Sequence, residues 1–448
     1  MKIKFFALTA AALATCVLFA ACTQNPSESG GGDKPVAGAL TVELEKGLLY
    51  SSDSACSSYT ILANNEEIDQ VSEIDGYPIA EKIVNEYPDY ARLWKIEVIG
   101  LDREGNTIKT SEKAEEFTIK SLYSDNFISA LNGSYSAKDY FVLEENISLY
   151  GVEKNDSAGF PGYTSAVMTA AGTRYQGDNL NAGPAFFLVS KPFSATLNGM
   201  GYSVSVLVDK RMDFVSSQLS RGYAGLFFTM TETSLISNTA FDIDMTYTAG
   251  SGRLYGASLV YGDMQGDLVN CYVNAVMRPV NYVKGSDDPL FDQYVYTKDY
   301  KSSVIGSAGG DGNAVTIKDC VFSVKILDRE DNEKEGGGII GVCKSNVTME
   351  NCVLIKYNDT PLINNLGCAV SENSQWCGQM EATAKAAAKG VYYYATVQDF
   401  LNGQNGYGFI DGQFDYKTAL NNFDGICYGN FNTDYWQFTA DEIYFGQI

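Results

Sequence analysis

The stretch Ser234-Leu235-Ile236-Ser237-Asn238 is the first of four similar motifs, in which apolar residues lead to an Asn or an Asp. The other three motifs are Leu268-Val269-Asn270-Cys271, Ile317-Lys318-Asp319-Cys320 and Val347-Thr348-Met349-Glu350-Asn351-Cys352. The Asn or Asp recurs at intervals of 32, 49 and 32 residues. Repetition at such a period is typical of a solenoid, in which equivalent side chains stack from one repeat to the next.

A second motif precedes each of these four, and it consists of a small residue followed by apolar residues. Its copies are Gly225-Leu226-Phe227-Phe228, Ser258-Leu259-Val260-Tyr261-Gly262, Ser303-Val304-Ile305-Gly306 and Gly338-Ile339-Ile340-Gly341. The distance from its first residue to the following Asn or Asp is 13, 12, 16 and 13 residues. These similar separations predict a parallel β-helix, whose corners need the tight or left-handed backbone that Gly and Asn adopt.

The predicted stacking gives the recurring residues a structural role. We expect the corner side chains to form a hydrogen-bonded ladder and the cysteines beside them to form an interior stack of free thiols. The residues of this structural ladder are Asn238, Asn270, Cys271, Asp319, Cys320, Asn351 and Cys352. Inward-facing stacked thiols leave no room for a cation, so we favour a packing role over disulfides or a metal site.

These repeats resemble the GLUG-type repeat of bacterial surface β-helix proteins, which is named for its Gly-Leu-any-Gly signature. The segment 193–204 resembles the stretch that commonly precedes such repeats, and the segment 140–149 resembles their opening strand. The resemblance covers roughly residues 126–353, with departures at Ala195, Asn198, Phe228, Ser258 and Ser303. It implies a right-handed parallel β-helix in a protein of the bacterial cell surface.

The N-terminus predicts export. Two lysines in Met1-Lys2-Ile3-Lys4 precede an apolar run at 5–21, which is typical of a secretion signal. The stretch Leu18-Phe19-Ala20-Ala21-Cys22 resembles the lipobox of bacterial lipoproteins, with Phe19 in place of the usual Leu. That resemblance implies cleavage after residue 21, lipidation of Cys22 and anchoring in the outer membrane at the cell surface. Two Asp-Ser-Ala triplets, at 53–55 and 156–158, resemble the O-glycosylation signal of Bacteroidota surface proteins.

The remaining patterns divide the chain into four parts. After the signal peptide at 1–21, the Gly- and Ser-rich segment 22–35 is predicted to be a flexible tether. Alternating strands with turns, and a short helix at 79–87, predict an immunoglobulin- or fibronectin-like β-sandwich at 36–122. Residues 123–448 form the β-helix domain with a small irregular C-terminal cap, in which the Ala-rich segment 381–390 is predicted to be a helix and 397–401 to begin another.

Composition excludes several functions. The chain of 448 residues carries 32 Lys and Arg against 55 Asp and Glu, and loss of Lys2 and Lys4 with the signal deepens its net charge from −23 to −25. Nucleic-acid partners are therefore not expected, because phosphate binding needs a basic surface. The chain has no His, which excludes Ser-His-Asp catalysis, His general bases and His-ligated metals. We expect no cofactor, with calcium left open.

Two groups of residues are candidates for ligand contact. The interval of 49 residues contains an insertion of about 17 within 281–300, and insertions in a solenoid often project from the binding face. Its candidate ligand-binding residues are Tyr282, Asp287, Asp288, Tyr294 and Tyr296, because Tyr rings stack on sugars and Asp accepts sugar hydroxyls. Elsewhere, Asp242 and Asp244 share one face of a predicted strand, as paired carboxylates of a glycosidase or as ordinary outward residues.

The sequence contains no catalytic motif. It favours a non-catalytic cell-surface adhesin that binds glycan or host glycoprotein and that is held at the membrane by its lipid anchor. A carbohydrate-active β-helix enzyme, either a polysaccharide lyase or a glycoside hydrolase, is the first alternative. A structural component of a surface assembly is the second.

Overall fold

A computed structural model describes residues 38–51, 53, 55–150, 186–189, 191–208, 223–248, 257–282, 294–296, 303–327, 338–344, 347–356, 377–380, 386–409, 412–414, 421–423, 425 and 427–446. Within these residues the fold is all-β with few helices, and the predicted all-β class is confirmed. One sheet of 20 strands and one of six contain most of the structure, and most of their strands pair in parallel. No helix in the described part of the chain is long and apolar enough to span a membrane.

The N-terminal part is a mainly antiparallel sheet closed by one helix. Its elements are β1 (Gly38–Leu40), β2 (Glu43–Glu45), β3 (Leu48–Tyr50), β4 (Ser58–Ala63), β5 (Glu66–Val71), α1 (Ile79–Glu86), β6 (Leu93–Leu101), β7 (Thr107–Ser111) and β8 (Glu115–Leu122). The helix expected at 79–87 is present. A turn at 102–106 joins β6 to β7, and β8 pairs with the other end of β6. Trp94, Ile83 and Phe117 are among the buried side chains of its core.

The strand β8 connects this part to the rest of the molecule. Residues 115–118 pair antiparallel with β6, whereas residues 119–122 pair in parallel with the next strand of the chain, 140–143. The first strand of the parallel region therefore has a partner on its outer side. A second link is the ion pair between Lys46 Nζ, in the β2–β3 turn, and Asp267 Oδ2 at 2.6 Å. Asp267 Oδ1 also accepts from the backbone N–H of Thr316, so this contact joins the N-terminal part to two repeats.

The parallel region begins with a short helix and consists of strands from successive repeats. Its elements are α2 (Phe127–Asn132), β9 (Tyr140–Leu143), β10 (Ile147–Tyr150), β11 (Phe186–Val189), β12 (Thr196–Asn198), β13 (Ser203–Val208), β14 (Tyr223–Phe227), β15 (Leu235–Thr248), β16 (Ala257–Met264), β17 (Asp267–Tyr282), β18 (Tyr294–Tyr296), β19 (Ser303–Ala308), β20 (Val315–Lys318), β21 (Val321–Ile326), β22 (Gly338–Cys343), β23 (Val347–Lys356), β24 (Cys377–Met380) and β25 (Ala386–Tyr394). The six-stranded sheet consists of β11, β14, β16, β19, β22 and β24, and all of its pairs are parallel.

The pairing register matches the alignment of the sequence motifs. In the six-stranded sheet the paired residues are Phe227, Val260, Ile305 and Ile340. In the large sheet they are Leu197, Ile236, Leu268, Ile317, Met349 and Ala388. The members of each series are stacked on one another between the sheets, and all except Ala388 belong to one continuous buried core. Each repeat thus contributes one level of this stack, which we call a rung.

The Ala-rich segment is not a helix where the structure describes it. Residues 386–390 belong to β25, which pairs in parallel with β23, so the helix predicted at 381–390 is wrong over that half. Alanine favours a helix in isolation, but a strand on an existing sheet edge gains a full ladder of backbone hydrogen bonds. The parallel pairing of successive rungs ends at β25, because the other edge of this strand pairs antiparallel with β26 (Gly406–Phe409) and β27 (Gly412–Phe414).

The chain then returns along the side of the stack. The remaining elements are α3 (Val397–Asn402), which begins where the sequence predicted, β28 (Asn421–Phe423), β29 (Trp436–Phe438) and β30 (Ile443–Phe445). Residues 427–446, which we call the C-terminal strap, cover outward residues of the late rungs such as Val321, Val353 and Tyr392. Burial, and then the charge of Glu81 in α1, raise the pKa of Tyr435 in the strap to about 12.

The close approach of neighbouring rungs accounts for the Gly of the second motif. A Cβ at Gly306 would overlap the carbonyl oxygen of Tyr261 on the rung below. We therefore expect Gly306→Ala to lower the free energy of unfolding by about 1–3 kcal/mol or more, because neither backbone can yield without breaking the sheet. Denaturant unfolding of the purified protein measures this. The control is Gly429→Ala, whose Cβ would lie in open space and which should change stability by at most about 0.5 kcal/mol. Equal effects of the two substitutions would contradict the packing argument.

Candidate ligand-binding face

The predicted corner residues occupy equivalent positions and share an unusual backbone. Asn238, Asn270, Asp319 and Asn351 have φ angles of 49°, 52°, 54° and 49°. Gly390 follows them in the next rung with φ 70°. Left-handed backbone costs most L-residues about 1–2 kcal/mol, and Gly, Asn and Asp tolerate it best. The corner thus selects the residue types that made the repeat visible in the sequence.

The side chains of these corners are joined between rungs. Asn270 Nδ2 donates to Asn238 Oδ1 at 2.7 Å, and Asn351 Nδ2 donates to Asp319 Oδ1 at 2.7 Å. Asn198, which the sequence analysis did not include in the ladder, extends it because its Oδ1 accepts from Asn238 Nδ2 at 3.1 Å. The strap contributes as well, since Trp436 Nε1 donates to Asn270 Oδ1 at 2.6 Å in a buried contact.

The cysteines beside the corners lie in the core. Cys271, Cys320 and Cys352 are fully buried and are free thiols. Each donates towards a backbone carbonyl of the neighbouring rung, as from Cys352 Sγ to Ile317 O at 3.3 Å. Burial, followed by hydrogen bonding to the adjacent thiol, raises the pKa of Cys320 and Cys352 well above the usual thiol value. These thiols therefore stay protonated. Among the described residues no three acidic or cysteine side chains are placed to hold a metal ion.

A column of polar side chains lies on the outer side of the large sheet. Alternation along each strand places apolar residues in the core and a polar residue between them facing outward, as for Asp242 between Phe241 and Ile243. The register then stacks the outward residues Ser148, Ser205, Asp242 and Asn274 over four successive rungs. Asp242 is exposed and the other three are half-buried. Asn274 Nδ2 donates to Asp242 Oδ1 at 2.9 Å, which orients the carboxylate.

Larger side chains flank this column on both sides. Tyr272, two residues before Asn274 on the same strand, is half-buried with its ring centroid 5.9 Å from that of Trp436 in the strap. On the other side are Leu207, which is 37% exposed, and Asp244 and Val276, which are half-buried. We call this set the lateral face: Ser148, Ser205, Asp242 and Asn274 with the flanking Tyr272, Leu207, Asp244 and Val276.

The strap closes the lateral face at one end. The residue that follows Asn274 in the column is Ser323, which is only 2% exposed. The next two, Ile355 and Tyr394, belong to the apolar cluster under the strap. The column is therefore open over the early rungs and covered over the late ones. Such a face can accept hydrogen bonds from hydroxyls, donate amide and hydroxyl protons, and offer apolar contact on either side.

The structure places the predicted ligand residues only in part. Residues 294–296 form β18, which pairs antiparallel with the end of β17, so that Tyr282 is opposite Tyr294 and Val280 is opposite Tyr296. This hairpin continues the strand that carries Asn274. Asp287 and Asp288 lie outside the described residues, as does the predicted lipidation site Cys22. Asp242 and Asp244 lie on β15, opposite Asn274 and Val276 of β17.

The sequence analysis missed Ser205, Tyr272 and Asn274. The signal for them was present, because the corner Asn fixes the register and every second residue after it faces outward. Counting outward positions from Asn238 and Asn270 would have aligned Asp242 with Asn274. Comparisons of the chain with protein-family models, with curated proteins and with solved structures each gave no match.

The corner geometry can be tested at Asn270. We expect Asn270→Ala to lower the free energy of unfolding by about 2–4 kcal/mol, because it leaves Trp436 Nε1 unpaired and puts Ala in left-handed backbone. Asn270→Gly should be less destabilising by about 1 kcal/mol, since Gly adopts that backbone freely. The matched control on the same strand is Asn274→Ala, at an outward position, with an effect below about 1 kcal/mol. If Asn270→Gly is as harmful as Asn270→Ala, backbone conformation does not select the corner residue.

Proposed function

We propose that the protein is a cell-surface lipoprotein that binds glycan, free or on a host glycoprotein, through the lateral face without cleaving it. The observation that carries this proposal is the open column Ser205, Asp242 and Asn274, flanked by Tyr272 on one side and by Leu207, Asp244 and Val276 on the other. Sugars offer hydroxyls around a ring whose C–H faces are apolar. A face with acceptors, donors and apolar borders is complementary to both features.

The column is also rigid before any ligand arrives. Its residues project from the middle of paired strands, and the Asn274 amide holds the Asp242 carboxylate. A preorganised face loses less conformational entropy on binding, so a modest number of hydrogen bonds can give useful affinity. The hairpin of β17 and β18 extends from the same strand, and the insertion that contains Tyr282, Tyr294 and Tyr296 is proposed to add contacts to the ligand.

The architecture and location belong to the same proposal. The parallel region is proposed to be a right-handed parallel β-helix, and the N-terminal part an immunoglobulin- or fibronectin-like sandwich. A lipid on Cys22 with the tether at 22–35 would hold the chain on the outer membrane, with the sandwich between membrane and stack. The two or three strands that each described rung contributes, paired in parallel with those of the next rung, support a β-helix. The lipobox-like sequence at 18–22 supports the anchor.

A carbohydrate-active enzyme is the second candidate, because Asp242 and Asp244 lie two residues apart on one strand. Glycosidases place two carboxyl groups on opposite sides of the scissile bond, with one protonating the leaving oxygen. Two outward residues of a single strand instead approach a ligand from the same side. This arrangement favours binding over turnover.

The proposal is tested with the purified chain on a glycan array, followed by affinity measurement and a product assay on each glycan that binds. We expect binding without products. Asp242→Ala and Asn274→Ala should each weaken binding about tenfold or more, because each removes hydrogen bonds to the ligand, and those to a charged group are worth about 1.5–3 kcal/mol.

The control for these variants is Asp441→Asn, an exposed acid in the turn between β29 and β30, which should bind like the unmodified protein. Products that disappear in Asp242→Asn would establish the enzyme instead. The absence of binding to every glycan would contradict the proposal and favour a structural role in a surface assembly.

A further inference from the structure

We infer that the lateral face takes an uncharged glycan in an extended conformation, which lies along the axis of the stack with about one sugar unit per rung. This inference rests on the proposed function and adds the ligand class, its direction and its length. It follows from the spacing, the ends and the charge of the lateral face.

The spacing comes from the sheet itself. Neighbouring strands lie about 4.8 Å apart, so Ser148, Ser205, Asp242 and Asn274 repeat at that distance along the axis. An extended pyranose chain advances by a similar length for each unit. A glycan that runs along the axis therefore meets one polar side chain per unit, whereas a glycan that runs along a strand crosses the column and meets few of them.

The borders favour the same direction. Leu207 and Val276 lie on two rungs of the row beside the column, in register with each other through Asp244. Tyr272 stands on the opposite side at the rung of Asn274. Leu207 and Val276 alternate with Asp244 in a row parallel to the axis, so a chain that runs beside this row meets an apolar side chain on alternate rungs and has Tyr272 on its other side at the rung of Val276.

The covered end sets the length. The column is open over four rungs and is closed at Ser323, where the strap begins to cover the sheet. A chain of about four units fills the open part. Additional units at the covered end would have no surface to contact, so they would not raise the affinity.

The negative charge of the lateral face determines which class of glycan it can bind. Asp242 and Asp244 are adjacent acids on the face, and the chain as a whole carries a net charge of −23. Among the described residues no acidic cluster is placed to hold a bridging cation. Lys325 lies near the covered end, one rung beyond Val276. An anionic sugar over Asp242 would be repelled by a carboxylate that Asn274 keeps in place, whereas a neutral hydroxyl donates to it.

The test compares matched ligands on the full chain. A glycan array first presents neutral glycans together with uronic, sulfated and sialylated ones, and the best neutral binder is then titrated as oligomers of about two to eight units. We expect affinity to rise with each unit up to about four and then to level. The analogue of the same oligomer with oxidised C6 carboxylates should bind at least tenfold more weakly.

Two variants separate the charge from the shape. Asp242→Asn keeps the size of the side chain and should reduce the discrimination between neutral and oxidised oligomers severalfold, while Asp441→Asn leaves it unchanged. A preference for anionic glycans, or discrimination that Asp242→Asn does not reduce, would overturn the ligand class. Affinity that levels at two units would overturn the axial direction. In these cases glycan binding itself still stands, whereas a chain that binds no glycan at all contradicts the proposed function and this inference with it.

Discussion

Parallel pairing at constant register is the constraint on which the rest of this structure depends. Because each rung hydrogen-bonds to the next over several strands, residues at equivalent positions must lie directly above one another. A residue that fits badly at one level therefore disturbs two neighbours, which restricts every stacked position to a few residue types. Asn238 and Asn270 occupy corners with left-handed backbone. Gly306 lies where two rungs approach closely, and Cys320 is buried in the interior. The same restriction brings corner side chains of neighbouring rungs within hydrogen-bond distance, as between Asn238 and Asn270 and between Asp319 and Asn351.

A parallel stack leaves an unpaired strand at each end, and in the large sheet this chain pairs the outer edges of β9 and β25 in different ways. At the first rung β8 changes partner in mid-strand, from antiparallel β6 to parallel β9, so the N-terminal part supplies the missing edge. At the last rung β25 receives the antiparallel strands β26 and β27, which reverse the direction of pairing and stop the repeat. Unpaired backbone edges invite association with other chains, which both arrangements prevent. The strap adds a third connection, because Trp436 Nε1 donates to Asn270 Oδ1.

The parts of the fold that could be predicted are those on which this constraint acts directly. Asn, Asp, Cys and Gly at fixed intervals revealed the repeat, since stacking limits those positions to few residues. The segment 386–390 could not be predicted in the same way, because its local Ala content favours a helix and only the edge of β23 makes it a strand. The partners of the strap could not be predicted either. Trp436 lies 166 positions after Asn270, and nothing in the sequence between them indicates that they meet. Tyr272 and Asn274 were missed because outward positions carry no repeated residue type.

The lack of a repeated residue type at outward positions has a physical origin. Inward and corner positions are fixed by the rung below, whereas outward positions contact solvent and can differ from one rung to the next without disturbing the stack. The outer column shows how far they differ, since it changes from Ser205, Asp242 and Asn274 to Ile355 and Tyr394 within the same register. The apolar half of the column packs against the strap of the same chain. The polar half has no such role in the described structure. There the Asn274 amide donates a hydrogen bond to Asp242 and orients a carboxylate that water would otherwise solvate. The polar half of the column is therefore the part of this surface where we propose that the ligand binds.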